Sequence, residues 1–300
     1  MRTTAHPSAS TASVGRRRTL SGAIGRLRRP GAGLTVAAVA FLLLAAALSG
    51  LAMIVPFAGS PTDVVGSRLS PPSWSYPLGT DSLGRSLLPR LIEGIGVTLV
   101  LSASAVVVAA TVSTVVGMIA GYLGGWVKEL TLRLADVFYA FPSIILAILL
   151  AAVLGAGRIA IVSAIVLVTV PLMLRMVCAA TMNIAHRDYV TSALISGISN
   201  RRIIFRHILT GISGTIAVQG TYSLSVGILV EGGLSFLGQG VQIPQSSLGL
   251  LVQEGATYMI AAPWLLFAPA AALVLSILAV TVAGDGLRDH FEPRAARRLS

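Results

Sequence analysis

The 300 residues are 55% hydrophobic and only 11% charged, with a mean hydropathy of +0.85, which excludes an ordinary soluble core and points to a membrane protein. A net charge of +11 would suit a nucleic-acid partner, but only 6% of residues are aromatic and the basic residues are scattered between apolar runs, which argues against nucleic acid. The single cysteine, Cys178, cannot close an intrachain disulfide. The single lysine, Lys128, stands between Val127 and Glu129 and so lacks the glycine-rich surroundings of a phosphate-binding loop. A nucleotide-driven machine built on this chain therefore takes its ATPase from another subunit.

In chain order, residues 1–32 carry Arg2, Arg16, Arg17, Arg18, Arg26, Arg28 and Arg29 and no acidic residue, the composition of a disordered basic tail held at an anionic leaflet. The following apolar run is far longer than the ~7–15 residues of a signal-peptide core and predicts an uncleaved membrane helix near Leu34 to Pro56. With about 20 apolar residues needed per crossing, five further spans are predicted at 96–120, 136–155, 159–179, 213–236 and 262–283. The fold expected is all-α, a polytopic protein with six transmembrane helices. Residues 33–95 form the first span and an external segment, 96–285 a five-helix core with a loop at 186–211, and 286–300 a second tail.

Positive charge sets the orientation. With the N-terminus in the cytoplasm, 18 of the 22 basic residues fall on the cytoplasmic side, and only Arg68, Arg85, Arg90 and Arg158 lie outside. Both tails and the loop DYVTSALISGISNRRIIFRHILTG (Asp188 to Gly211) then face the cytoplasm. This loop reads as two helices, Asp188 to Ser196 and Asn200 to Leu209, around a turn at Gly197, with Asn200 able to cap the second. Ile203, Ile204 and Ile208 share one side of that helix, and Arg201, Arg202 and Arg206 lie toward another. From the residues alone two readings stay open: the arginines enforce orientation, or the loop docks a partner.

The loop resembles the cytoplasmic EAA loop of binding-protein-dependent ABC import permeases, through Ala193, Gly197 and RIIFRHIL from Arg202 to Leu209. YPLGTDSLGRSLL (Tyr76 to Leu88), GYLGGW (Gly121 to Trp126), DVFYAFPS (Asp136 to Ser143), LSFLGQGVQIP (Leu234 to Pro244), APWL (Ala262 to Leu265) and GDGLRDHFEPR (Gly284 to Arg294) are similar to the second permease subunit of dipeptide, oligopeptide and nickel importers. The resemblance implies a type I ABC importer permease-like fold and import of di- or oligopeptides, with nickel or a metal chelate as the alternative cargo. It implies as partners a homologous permease, two ATP-binding subunits that hold ATP and Mg, an extracytoplasmic substrate-binding protein and membrane lipid. Neither a catalytic role nor a cofactor falls to this chain. Asp188, Tyr189, Ala193, Gly197, Arg202, Phe205, Arg206 and His207 would form the coupling surface toward the ATPase. Three departures stand out: Thr191 replaces the family's leading Glu, Ser192 its next Ala, and Thr210 the closing proline.

Glu231 interrupts the fifth span, and an acid at membrane depth either lines the pathway, braces a gate, or is paired structurally. Met173, Met176, Cys178 and Met182 are read as packing residues ahead of soft-metal ligands, and His6, His186, His207 and His290 lack zinc-ligand spacing. Gly117, Gly121 and Gly125 admit both a close helix contact and simple turn chemistry. A secondary transporter would need an intramembrane relay of charges, and an intramembrane enzyme a nucleophile with its base. Neither pattern is present in the predicted spans.

Overall fold

A computed structural model describes residues 32–54 and 59–291. The two tails, apart from residues 286–291, lie outside them. The helices are α1 (Ala32–Ile54), α2 (Leu87–Leu123), α3 (Gly125–Tyr139), α4 (Ser143–Leu154), α5 (Arg158–Ala185), α6 (Asp188–Ile195), a single turn α7 (Asn200–Arg202), α8 (Leu209–Phe236), α9 (Leu248–Thr257) and α10 (Trp264–Phe291), with a π-helical segment at Ile203–Ile208. No sheet forms among the described residues, only two isolated bridges, Val64 with Arg85 and Thr80 with Ser86.

Among the described residues four helices are long and apolar enough to cross a membrane, α1, α2, α5 and α10, and the bent pair α3–α4 makes five if taken as one span. The remaining predicted span, the fifth in chain order at 213–236, is α8, 28 residues long. It falls short on hydropathy because it packs against α2, α5 and α10 and buries small and polar residues such as Ser223, Ser225 and Gly227, so a lipid-facing apolar surface is not required of it.

Three predicted elements change. The span expected at 96–120 begins at Leu87, and Arg90, counted as external in the charge distribution, lies in its first turn, neutralised in a buried ion-pair cluster. The span expected at 136–155 is two helices meeting at 86°. Pro142 breaks it, since the ring removes an amide donor and restricts the residue before it. The second loop helix, expected to end at Leu209 ahead of the fifth span, does not: the chain runs helically from Asn200 to Phe236 without interruption.

α2 and α5 form the tightest helix pair. A Cβ placed on Gly117 would lie 2.9 Å from Val177 Cγ1, and one on Gly121 would lie 2.6 Å from the Cys178 carbonyl oxygen. At these two positions the small-residue spacing is therefore a packing device, while Gly124 and Gly125, at φ of 66° and 52°, make the turn into α3. Met173 and Cys178 are buried in the same seam.

Candidate functional site

The loop between α5 and α8 is built by local backbone chemistry. α6 ends in a Schellman arrangement: the Gly197 amide donates to the Leu194 carbonyl at 3.0 Å and the Ile198 amide to the Ala193 carbonyl at 3.1 Å. That geometry needs a left-handed residue after the cap, and Gly197 supplies it at φ 77°. Beyond the turn, Ser199 rather than Asn200 occupies the capping position. Asn200 is already inside the helix, and its Oδ1 accepts from the Tyr122 hydroxyl at 3.0 Å, tying the loop to the end of α2.

The π-helical turns then matter. Their wider winding brings residues five apart nearer to one face, and Ile203 and Ile208 are both fully buried. With Val190, Ala193 and Ile212 they pack on Met118, Met173 and Val177 of α2 and α5. Burial of a side chain of this size is worth about 1.5–3 kcal/mol, so the inner face of the loop is welded to the bundle.

The outer face stays open. Tyr189, Leu194, Ile195 and Phe205 are exposed apolar side chains, and Asp188, Arg201, Arg202 and Arg206 are exposed as well. Ser199, Arg201, Arg202, Phe205 and Arg206 line a shallow concavity of about 490 Å³. Of the expected coupling residues, Asp188, Tyr189, Arg202, Phe205 and Arg206 are thus on the accessible side, His207 is half-buried, and Ala193 faces the core. Thr191 is exposed and its hydroxyl turns back to the Arg187 carbonyl at 3.4 Å. Thr210 donates to the Arg206 carbonyl at 2.7 Å, so the helix passes through the position where the family pattern has proline.

Glu231 is fully buried. Thr98 Oγ1 donates to its Oε2 at 2.8 Å and Ser235 Oγ to its Oε1 at 2.7 Å, while Thr98 Oγ1 accepts from the Leu248 amide at 3.1 Å. One carboxyl thereby joins α8, α2 and the start of α9 at the end of the bundle remote from the loop.

A second cluster at that remote end was not anticipated. Asp81 is wholly buried and accepts from the amides of Leu83 and Arg85, from Arg85 Nε at 2.6 Å and from Arg90 Nη1 at 2.5 Å. Arg90 Nη1 also reaches Glu254 at 2.8 Å, 164 residues away. The cluster staples segment 59–86 to α2 and α9. Its sequence signal was Asp81, Arg85 and Arg90 in close succession, which the orientation count had assigned simply to the outside.

A cavity of about 400 Å³ opens between α4, α5 and α8, lined by the aromatic residues Phe138, Tyr139, Phe141 and Tyr222 with Thr169 and Ser223. Near it Arg175 pairs with Asp136 and stands 5.9 Å over the Tyr139 ring. A further cavity, between α5, α8 and α10, also includes Tyr222 and extends to Thr210 and Phe291. Among the described residues no group of three or more His, Cys, Asp or Glu side chains is placed to hold a metal ion.

Residues 113–297, more than half of the chain, match the family described as binding-protein-dependent transport system inner membrane component. The chain belongs to this permease family. It is 38% identical to the di/tripeptide transport system permease protein of Pseudomonas aeruginosa over 75% of this chain and 77% of that one. It is 35% identical to the glutathione transport system permease protein of Pectobacterium atrosepticum, with 74% of each covered. The dipeptide transport system permease protein of Haemophilus influenzae matches at 35% identity over 85% of this chain and 88% of its own length. Among solved structures, an inward-facing methionine ABC transporter aligns with a TM-score of 0.51 at 17% identity, covering 68% of this chain and 97% of that one. This last likeness confirms the type I importer permease fold. Family and apolar spans together make the permease a multi-pass protein of the inner, cytoplasmic membrane.

Proposed function

We propose that this permease is one half of the membrane conduit of an ATP-driven importer of di- or oligopeptides. The observation that carries the reading is the loop from Asp188 to Gly211, whose inner face is fused to α2 and α5 and whose outer face is an open mixture of arginines and apolar side chains. That is the shape of a transmission element: a partner that grips the exposed face moves the buried one with it. Peptide cargo is drawn from the relatives, two of which are named for di- or tripeptides and one for glutathione, itself a peptide.

In this assembly a homologous permease completes the conduit, two ATP-binding subunits hydrolyse ATP on the cytoplasmic side, and an external binding protein delivers the substrate. The loop end of the bundle, with both tails, faces the cytoplasm, in keeping with the distribution of arginines, and α8 completes the six crossings. ATP-driven closure of the partners pulls on α6 and the π-helical segment and rocks the bundle between inward-open and outward-open states. Glu231, which accepts from the Thr98 and Ser235 hydroxyls and is linked through Thr98 to the Leu248 amide of α9, braces the external gate. The test is parallel uptake of a labelled dipeptide and of labelled nickel in a strain lacking this gene and in its complemented version. Loss of dipeptide uptake alone is expected. Loss of nickel uptake alone, or of neither, overturns the peptide reading.

A further inference from the structure

The Asp136–Arg175 pair is half exposed on both sides. Arg175 lies ten residues from the Ala185 end of α5, about 15 Å along the helix. A hydrocarbon layer ~30 Å thick, centred on this ~42 Å helix, would enclose that position, so Arg175, which the charge count assigned to the cytoplasmic side, stands inside the layer near its cytoplasmic edge. Charges at such depth almost always face the bundle interior or a water-filled cavity, and often line a substrate pathway. Tyr139 and Leu172, each three residues from a member of the pair and so on the same helix face, line the aromatic cavity with Phe141, Thr169, Tyr222 and Ser223. Tyr222 also borders the cavity that extends toward the loop end. The pair therefore sits at the rim of a chamber of about 400 Å³, within the size range of small-ligand sites.

We propose that this chamber is a transit site for peptides with free termini, in which the Asp136–Arg175 pair opens to receive the substrate's ammonium on Asp136 and its carboxylate on Arg175. The inference rests on the peptide-import reading and gives it a place in the chain. A zwitterion exchanges one ion pair for two of the same kind, so neither charge is left unpaired in the empty or the loaded state, the condition that makes charges tolerable away from bulk water. An extended dipeptide spans about 7 Å, short enough to lie along the rim with its side chains against the rings of Tyr139, Phe141 and Tyr222. Cation–π contact with Tyr139 holds the Arg175 guanidinium at the rim while the site is empty.

The test uses proteoliposomes holding the full assembly with its binding protein, and labelled dipeptide as probe. Asp136→Asn, Arg175→Gln and the charge swap Asp136→Arg with Arg175→Asp are compared, with assembly checked by co-purification of the ATP-binding subunits. The swap restores a pair but reverses its polarity, so all three variants are expected to fall about ten-fold below wild type. A swap that recovers uptake to near wild type, or single variants that retain it, shows a merely structural pair and overturns the proposal. Should the swap fail to assemble, Val226→Trp is measured in its place, since Val226 also lines the chamber and the larger ring narrows it while leaving the pair intact: a comparable loss is expected, and retained uptake overturns the proposal. Wild-type assembly that imports no dipeptide overturns the peptide-import reading and this inference with it.

Discussion

At the residue scale, the contrast between ion pairs sets expectations for stability. Arg90 is 2% exposed and bridges Asp81 and Glu254, so Arg90→Ala strands two carboxylates and is expected to cost about 3–5 kcal/mol, visible as a lowered thermal transition of the purified permease. Arg133, 75% exposed beside Glu129, belongs to the class of surface pairs worth roughly 0–1 kcal/mol, and Arg133→Ala is expected to leave that transition in place. Equal shifts for the two would contradict the placement of the buried cluster. Gly197 differs in kind. A Cβ there meets nothing within 4 Å, so Gly197→Val acts through the left-handed backbone alone, at about 1–2 kcal/mol. It is expected to unseat the end of α6 and to reduce recovery of ATP-binding subunits in a pull-down. Undiminished recovery would separate this turn from coupling.

At the element scale, the departure from the family pattern at Thr210 becomes informative. Because the helix runs unbroken from Asn200 through the π-helical segment into α8, Thr210→Pro would delete an amide donor from a helix interior, a loss of about 3 kcal/mol. Restoring the family's proline is therefore expected to weaken transport and lower thermal stability; improved transport would show that the continuous helix is not the working form. The spans and the loop were legible in the sequence because lipid demands long apolar runs and the loop's arginines must leave them. The break at Pro142 was not legible, since Phe141 and Ser143–Leu154 keep the run apolar on both sides. The early start of α2 was hidden for the opposite reason: Arg90 counts as an external charge until Glu254, far along the chain, is brought beside it. The π-helical turns carry no residue pattern that distinguishes them from α-helix. Ile203 and Ile208, read from the sequence as sharing one side, are both buried in one cluster, and the π-helical winding that brings residues five apart toward one face is what the sequence left unseen.

At the scale of the whole molecule, two ends joined by α2 do different work. One end is locked by Asp81, Arg90, Glu254 and by Glu231; the other presents the loop with its apolar outer face exposed, the surface proposed to dock the ATP-binding subunit. A body rigid at one end and, on the proposed reading, gripped at the other suits rocking driven by ATP, and among the described residues the spans hold no relay of ionisable groups of the kind a proton-coupled carrier needs. The measurement that bears most directly on this account is accumulation of labelled dipeptide in proteoliposomes containing this permease, its homologous partner and the ATP-binding subunits, with the binding protein on the receiving side. Accumulation that requires ATP, the binding protein and this chain together is the expected result. Accumulation driven by a proton gradient without ATP, or undiminished when this chain is omitted, would contradict it.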